Sequence, residues 1–127
     1  MRLAAEYVLP LRCTDDRGLA ELTAYLHRLS RWIDVTVVDG SPPDLYARHA
    51  AAWGAHVRHM APALTGGANG KVRGVLTGIA LARHERIVLA DDDVRHDRAT
   101  LAALLGELRD ADLVAPQNVF RPRPWHA

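Results

Sequence analysis

From Arg86 the chain reads Arg-Ile-Val-Leu-Ala and then meets three carboxylates in succession, Asp91, Asp92 and Asp93. Buried in a sheet, Ile87, Val88 and Leu89 hold the backbone rigid and present the acids at the strand's carboxyl edge, where open α/β sheets bind their ligands. Three carboxylates side by side repel one another unless a cation sits among them. Oxygen donors suit a hard divalent ion, Mg2+ or Mn2+, and an ion with few protein ligands completes its shell with phosphate oxygens. The pattern therefore points to a metal-assisted site for a phosphorylated substrate. The plainer alternative is that the acids cap the next helix.

The rest of the chain alternates in the same way. Tyr7 to Leu11 reads as a strand whose Pro10 marks its exit into a loop. Asp15 or Asp16 then caps a helix carrying Leu19, Leu22, Leu26 and Leu29 as far as Ser30. Ile33 to Val38 is a second strand, closed by the turn Asp39-Gly40-Ser41-Pro42, and an alanine-rich helix follows from Pro43 to Trp53, where Gly54 stops it. A short third strand falls on His56 to His59, and the glycines from Ala61 to Gly70 make a loop.

Val72, Val75, Leu76, Ile79 and Ala80 then recur at helical spacing, with Gly74 and Gly78 set for close packing against the sheet or a ligand. After the acid-tipped strand come a helix through Leu101, Leu104, Leu105 and Leu108 and a last strand near Leu113 to Ala115. Such alternation predicts one α/β domain over residues 1–127, three layers around a mostly parallel sheet. Residues 116–127 form an irregular tail broken by Pro116, Pro122 and Pro124.

Composition narrows the function classes. Sixteen basic residues against 15 acidic ones give a formal charge of +1, which excludes nucleic-acid binding driven by bulk charge. One cysteine, Cys13, forms no internal disulfide and reads as a small buried thiol at a strand end. With Glu6 interrupting the first apolar stretch and no segment fit to cross a bilayer, the expectation is a cytoplasmic protein without a signal peptide or transmembrane segment. His56 and His59 stand at an odd separation that sends them to opposite faces of a strand, which argues against zinc. His96 reads as solvent-exposed, and Trp32 and Trp53 as the edge of the core.

Three separated segments now bear on one family. The strand ending Val37-Val38-Asp39-Gly40-Ser41, the segment Asn69-Gly70-Lys71 opening a helix, and Leu89-Ala90-Asp91-Asp92-Asp93 together resemble the N-terminal half of family 2 glycosyltransferases with the Rossmann-like GT-A fold. The resemblance implies a nucleotide-diphosphate-sugar donor, UDP-linked by preference, lying across the carboxyl ends of the strands. Pro10, Leu11 and Arg12 would line the base pocket, with Asp39 accepting a hydrogen bond from the base and Ser41 beside it. Lys71 and Arg73 would meet the diphosphate at a helix start. Asp91 and Asp93 match the family's Asp-x-Asp motif, Asp91 approaching ribose and metal, Asp93 the metal, and Asp92 assisting either. The activity so implied is a metal-dependent, inverting transfer to an acceptor hydroxyl that the sequence does not identify. Mg2+ or Mn2+ would stabilise the charge growing on the leaving diphosphate.

The general base of such enzymes lies in a C-terminal half, and this chain ends at Ala127 without an equivalent; Asp110 and Asp112 flank the last strand as cap or solvent residues. A truncated donor-binding half is the expectation. The alternatives are a non-catalytic nucleotide-binding fragment and a receiver-like signalling domain, which also sets acids at strand ends around a divalent ion. Phe120 and Trp125 make the tail apolar enough to pack on this domain, on further polypeptide, or on a second copy in a homodimer.

Overall fold

The computed structural model describes residues 2–62, 77–91, 94–106 and 113–114, the last two by their backbone. Lys71, Arg73, Asp92, Asp93, Asp110, Asp112 and the tail with Phe120 and Trp125 lie outside the described residues.

Among the described residues five strands make one sheet: β1 (Glu6–Leu11), β2 (Asp34–Asp39), β3 (Arg58–Met60), β4 (Ile87–Leu89) and β5 (Leu113–Val114). Their order is β3-β2-β1-β4-β5 and every neighbouring pair is parallel. Helices α1 (Leu19–Leu29), α2 (Pro43–Trp53) and α3 (Arg98–Gly106) connect them, and residues 77–80 are also helical. This is the order of a Rossmann-like mononucleotide-binding half, with the chain leaving β1 in opposite directions on its two sides. A receiver-like domain places β3 beside β1; here β4 holds that place, and the signalling alternative fails on topology.

The two faces of the sheet are covered differently. Tyr7, Leu9 and Leu11 of β1, Val35 and Val37 of β2 and Val88 of β4 form one cluster with Tyr25, Leu26 and Leu29 of α1, Trp53 of α2 and Leu101 and Leu105 of α3. On the opposite face Gly78 lies against Val8 and Val38. A Cβ at Gly78 would overlap Val8 Cγ1, which is the physical reason for glycine in that helical segment. Gly78→Ala is accordingly expected to cost about 1–3 kcal/mol in urea denaturation. Val8→Ala should recover most of that loss; if Gly78→Ala is neutral alone, the close approach is not what glycine serves.

Pro10 sits inside β1 and is paired with Val38, and the strand ends at Leu11 as the sequence suggests, starting one residue earlier at Glu6. A proline in a central strand needs a side with no ladder to break. Glu6 N–H donates to Arg86 and Ala90 N–H donates to Val8, so even-numbered residues of β1 turn their backbone groups toward β4. The pairing of β1 with β4 ends at Val8, so the N–H that Pro10 lacks falls just past it. The proline thus leaves the β1–β4 seam open at the carboxyl edge.

Three expectations are corrected. Asp15 and Asp16 do not cap α1: its first turn follows Gly18 at φ 78°, while Asp15 accepts from Arg17 N–H (2.9 Å) and Asp16 from Arg48 (2.8 Å). The arginines offer those carboxylates stronger, charge-assisted partners than a helix terminus does. Trp53 is not at the edge of the core but fully buried, its indole N–H donating to Thr23 Oγ1 at 2.8 Å. His96 is buried rather than solvated: its backbone N–H donates to Tyr25 Oη (3.0 Å), and its Nδ1 lies 3.3 Å from Tyr7 Oη. Burial pushes the His96 imidazole below its ordinary pKa, with a smaller opposing pull from Asp97.

Candidate functional site

The loops after β1, β2 and β4 leave the same edge of the sheet, and the strand order reverses between β1 and β4. A cleft of about 130 Å3 opens on that edge. It is bordered by Leu11 and Cys13 at the exit of β1, by Asp16, Arg17 and Gly18 ahead of α1, by His49 of α2 and by Arg95 beyond β4. The volume admits one small group rather than a nucleotide, for which pockets run to roughly 300 Å3 or more, so a larger ligand has to lie along the open edge.

At the floor of this edge Asp39 ends β2, and its carboxylate is fully enclosed. His49 Nδ1 is 2.6 Å from Asp39 Oδ2, and His59 Nε2 is 2.8 Å from the same oxygen. The side chains of His49 and His59 are 2% and 3% exposed, so water is not an alternative partner for either ring. Asp39 Oδ1 accepts the Ser41 N–H at 3.0 Å. Burial pushes the Asp39 carboxyl up, but the hydrogen bonds from His59, Ser41 and His49 outweigh it and hold the group well below the usual carboxylate range. An ionised carboxylate only accepts, so in this arrangement His49 donates through Nδ1 and His59 through Nε2.

Packing fixes both rings. His49 stacks on Trp53 with centroids 4.4 Å apart and planes 11° from parallel, and His59 lies 4.3 Å from the Tyr46 ring. The turn after β2 is tied to β1 by the Gly40 N–H donating to Leu11 (2.8 Å) and the Cys13 N–H donating to Ser41 Oγ (2.9 Å).

Of the residues expected at the site, the sheet brings Pro10, Leu11, Arg12, Asp39, Ser41 and Asp91 to one edge. Arg12 is exposed there, Pro10 and Ser41 are partly buried, and Asp91 is half-buried, its carbonyl accepting the Val94 N–H at 3.2 Å. Lys71, Arg73, Asp92 and Asp93 fall outside the described residues.

Sequence reasoning considered His56 with His59 as a metal pair, set the pair aside, and overlooked His49. His56 stands outside β3, against His27 with ring centroids 3.9 Å apart. Two signals were there to be used. Leu45, His49 and Trp53 recur every four residues, which places His49 in the buried stripe of α2. Pairing of Val37 with His59 in adjacent parallel strands sends His59 to the same face as Asp39, two residues beyond Val37.

Set against known proteins, the chain matches no family model and no curated protein. Among the described residues no helix is long and apolar enough to cross a membrane.

Proposed function

We propose that the chain binds a nucleotide-diphosphate-sugar along the carboxyl edge of its sheet and serves as the donor half of a metal-dependent, inverting glycosyltransferase of GT-A type. The observation that carries this reading is the strand order, which sets the exits of β1, β2 and β4 around a switch point, with the acidic run starting at Asp91 directly beyond β4. The base would rest on the β1 and β2 exits, against Pro10, Leu11, Arg12 and Ser41. The Asp39 carboxylate is enclosed and already accepts from His49, His59 and Ser41, so a direct bond from the base requires the cluster to open.

Asp91 and Asp93 would hold Mg2+ or Mn2+, with Asp92 assisting and Lys71 and Arg73 meeting the diphosphate. Carboxylate oxygens are the donor type such hard ions take. The ion would supply Lewis-acid stabilisation of the leaving diphosphate. Attack by the acceptor hydroxyl requires a carboxylate base, and no described residue is assigned to that role.

Calorimetric titration with UDP and with GDP, each with and without Mn2+, tests the reading. UDP should bind only with the metal, and Asp93→Ala should weaken it by at least about tenfold, since a direct ligand is worth no less than an outer-shell partner. Tighter binding of GDP would change the base but keep the site. Binding without any sugar transfer identifies a non-catalytic nucleotide-binding fragment, and no binding of either nucleotide removes the proposal.

A further inference from the structure

The cluster beneath the cleft has a donor set of which nucleotide binding would use only Asp39. Asp39, His49 and His59 offer one carboxylate oxygen and two imidazole nitrogens, all within 4.8 Å of one another. We propose that these three residues form a second metal site, for a transition ion of the Zn2+ class, separate from the Mg2+ or Mn2+ expected at the acidic run.

Donor chemistry selects the ion. Imidazole nitrogen is a poor ligand for Mg2+ but suits zinc and its neighbours, and two histidines with one carboxylate leave a fourth position for water or a ligand. Geometry favours it too. Bonds of about 2.0–2.1 Å in a tetrahedral shell set ligand atoms roughly 3.3 Å apart. The present contacts of 2.6 and 2.8 Å to Asp39 Oδ2 must therefore open by about 0.5–0.7 Å, with the two imidazole nitrogens, now within 4.8 Å, settling to the same spacing. The tautomers adapt without loss of a proton from a neutral pair. As Nδ1 of His49 and Nε2 of His59 turn their lone pairs inward, each ring carries its proton on the other nitrogen.

Neighbouring contacts hold the three ligands in place. Trp53 and Tyr46 hold the rings in place, and Ser41 N–H fixes the carboxylate through Oδ1 while leaving Oδ2 to the ion. His49 also borders the cleft. The ligands come from β2, α2 and β3, so a bound ion would clamp one half of the sheet together with its helix. An ion on Oδ2 would also remove that oxygen from any contact with the base.

The test uses the EDTA-stripped protein with Co2+ and Zn2+ alone. One equivalent of Co2+ should give the intense visible absorption of a low-symmetry, imidazole-bound ion, and Zn2+ at about a hundred times its dissociation constant should raise Tm by roughly 5–10 °C. His49→Asn with His59→Gln keeps an N–H near each present donor atom, so the hydrogen bonds to Asp39 persist, while amides are poor zinc ligands. This double variant should retain the parent's circular dichroism and bind Zn2+ at least about a hundredfold more weakly. Asp93→Ala should leave the Co2+ band intact, which separates this site from the donor site.

Absence of the band and of the Tm shift in the parent overturns the proposal. So does a band that survives the double variant or disappears in Asp93→Ala. If the double variant does not fold, His59→Gln alone gives the same reading.

Discussion

Asp39→Ala is expected to lower the free energy of unfolding by about 3–5 kcal/mol, measured in urea without added metal. The size follows from what the carboxylate satisfies. His49, His59 and Ser41 all donate to it, and both imidazoles are enclosed where water cannot replace the lost acceptor. Each stranded donor costs about 1–3 kcal/mol, with the three less than additive because relaxation of one eases the others. Removing a buried charge also saves its desolvation. The hydrogen bonds hold the Asp39 carboxyl below its ordinary range, so the ionised form is favoured in the fold and its removal is expected to be a net loss. Asp39→Asn keeps one acceptor oxygen and should lose about half as much, roughly 2 kcal/mol. A cost below about 1 kcal/mol for Asp39→Ala would mean that the imidazoles find other partners and that the cluster is not a fixed unit.

How far the sequence reveals this protein depends on the range of the interaction involved. Segments that fold on local chemistry are legible. The helix from Pro43 to Trp53 has its bounds written in a proline at the first turn and a glycine after the last, and the structure keeps them. Gly78 reads correctly as a close approach to the sheet. The parallel sheet follows from alternation of elements, and with it the gathering of Pro10, Arg12, Ser41 and Asp91 at one edge.

What the sequence hides is decided by tertiary partners. His96 is polar and follows an acidic run, yet two tyrosines from β1 and α1 offer it a buried niche. Asp15 has the right type and position for a helix cap, yet Arg17 two residues away claims it. The Asp39 cluster spans three elements across 20 residues, and only the register of β2 with β3 brings His59 to it. Glu6 belongs to the same class, since nothing near it in sequence announces its partners.

Glu6→Ala should cost about 3 kcal/mol at pH 7 while leaving nucleotide and metal binding unchanged, because it acts at the opposite end of β1 from the cleft. Its carboxylate is fully buried at the first residue of the strand. It accepts the Thr36 hydroxyl on one oxygen, and Arg83 binds both oxygens through its backbone N–H (2.9 Å), Nε (3.1 Å) and Nη2 (2.6 Å). The Arg83 side chain is 43% exposed and can return to water, so the cost falls at the low end for a broken buried pair.

The pH dependence carries the sharper test. Burial pushes the Glu6 carboxyl up, but the bonds from Arg83 and Thr36 outweigh it and leave the folded pKa below the ordinary value. The unfolded chain therefore takes up the proton first. The stabilisation is complete above the unfolded pKa of about 4.3 and is lost as pH falls through the folded value. The gap between parent and Glu6→Ala in denaturant midpoints should stay constant above about pH 5.5 and narrow steadily below about pH 4.3. A gap that holds its full width at pH 3 would show that Glu6 acts by its shape in the strand, and that the charge on Arg83 contributes nothing to the fold.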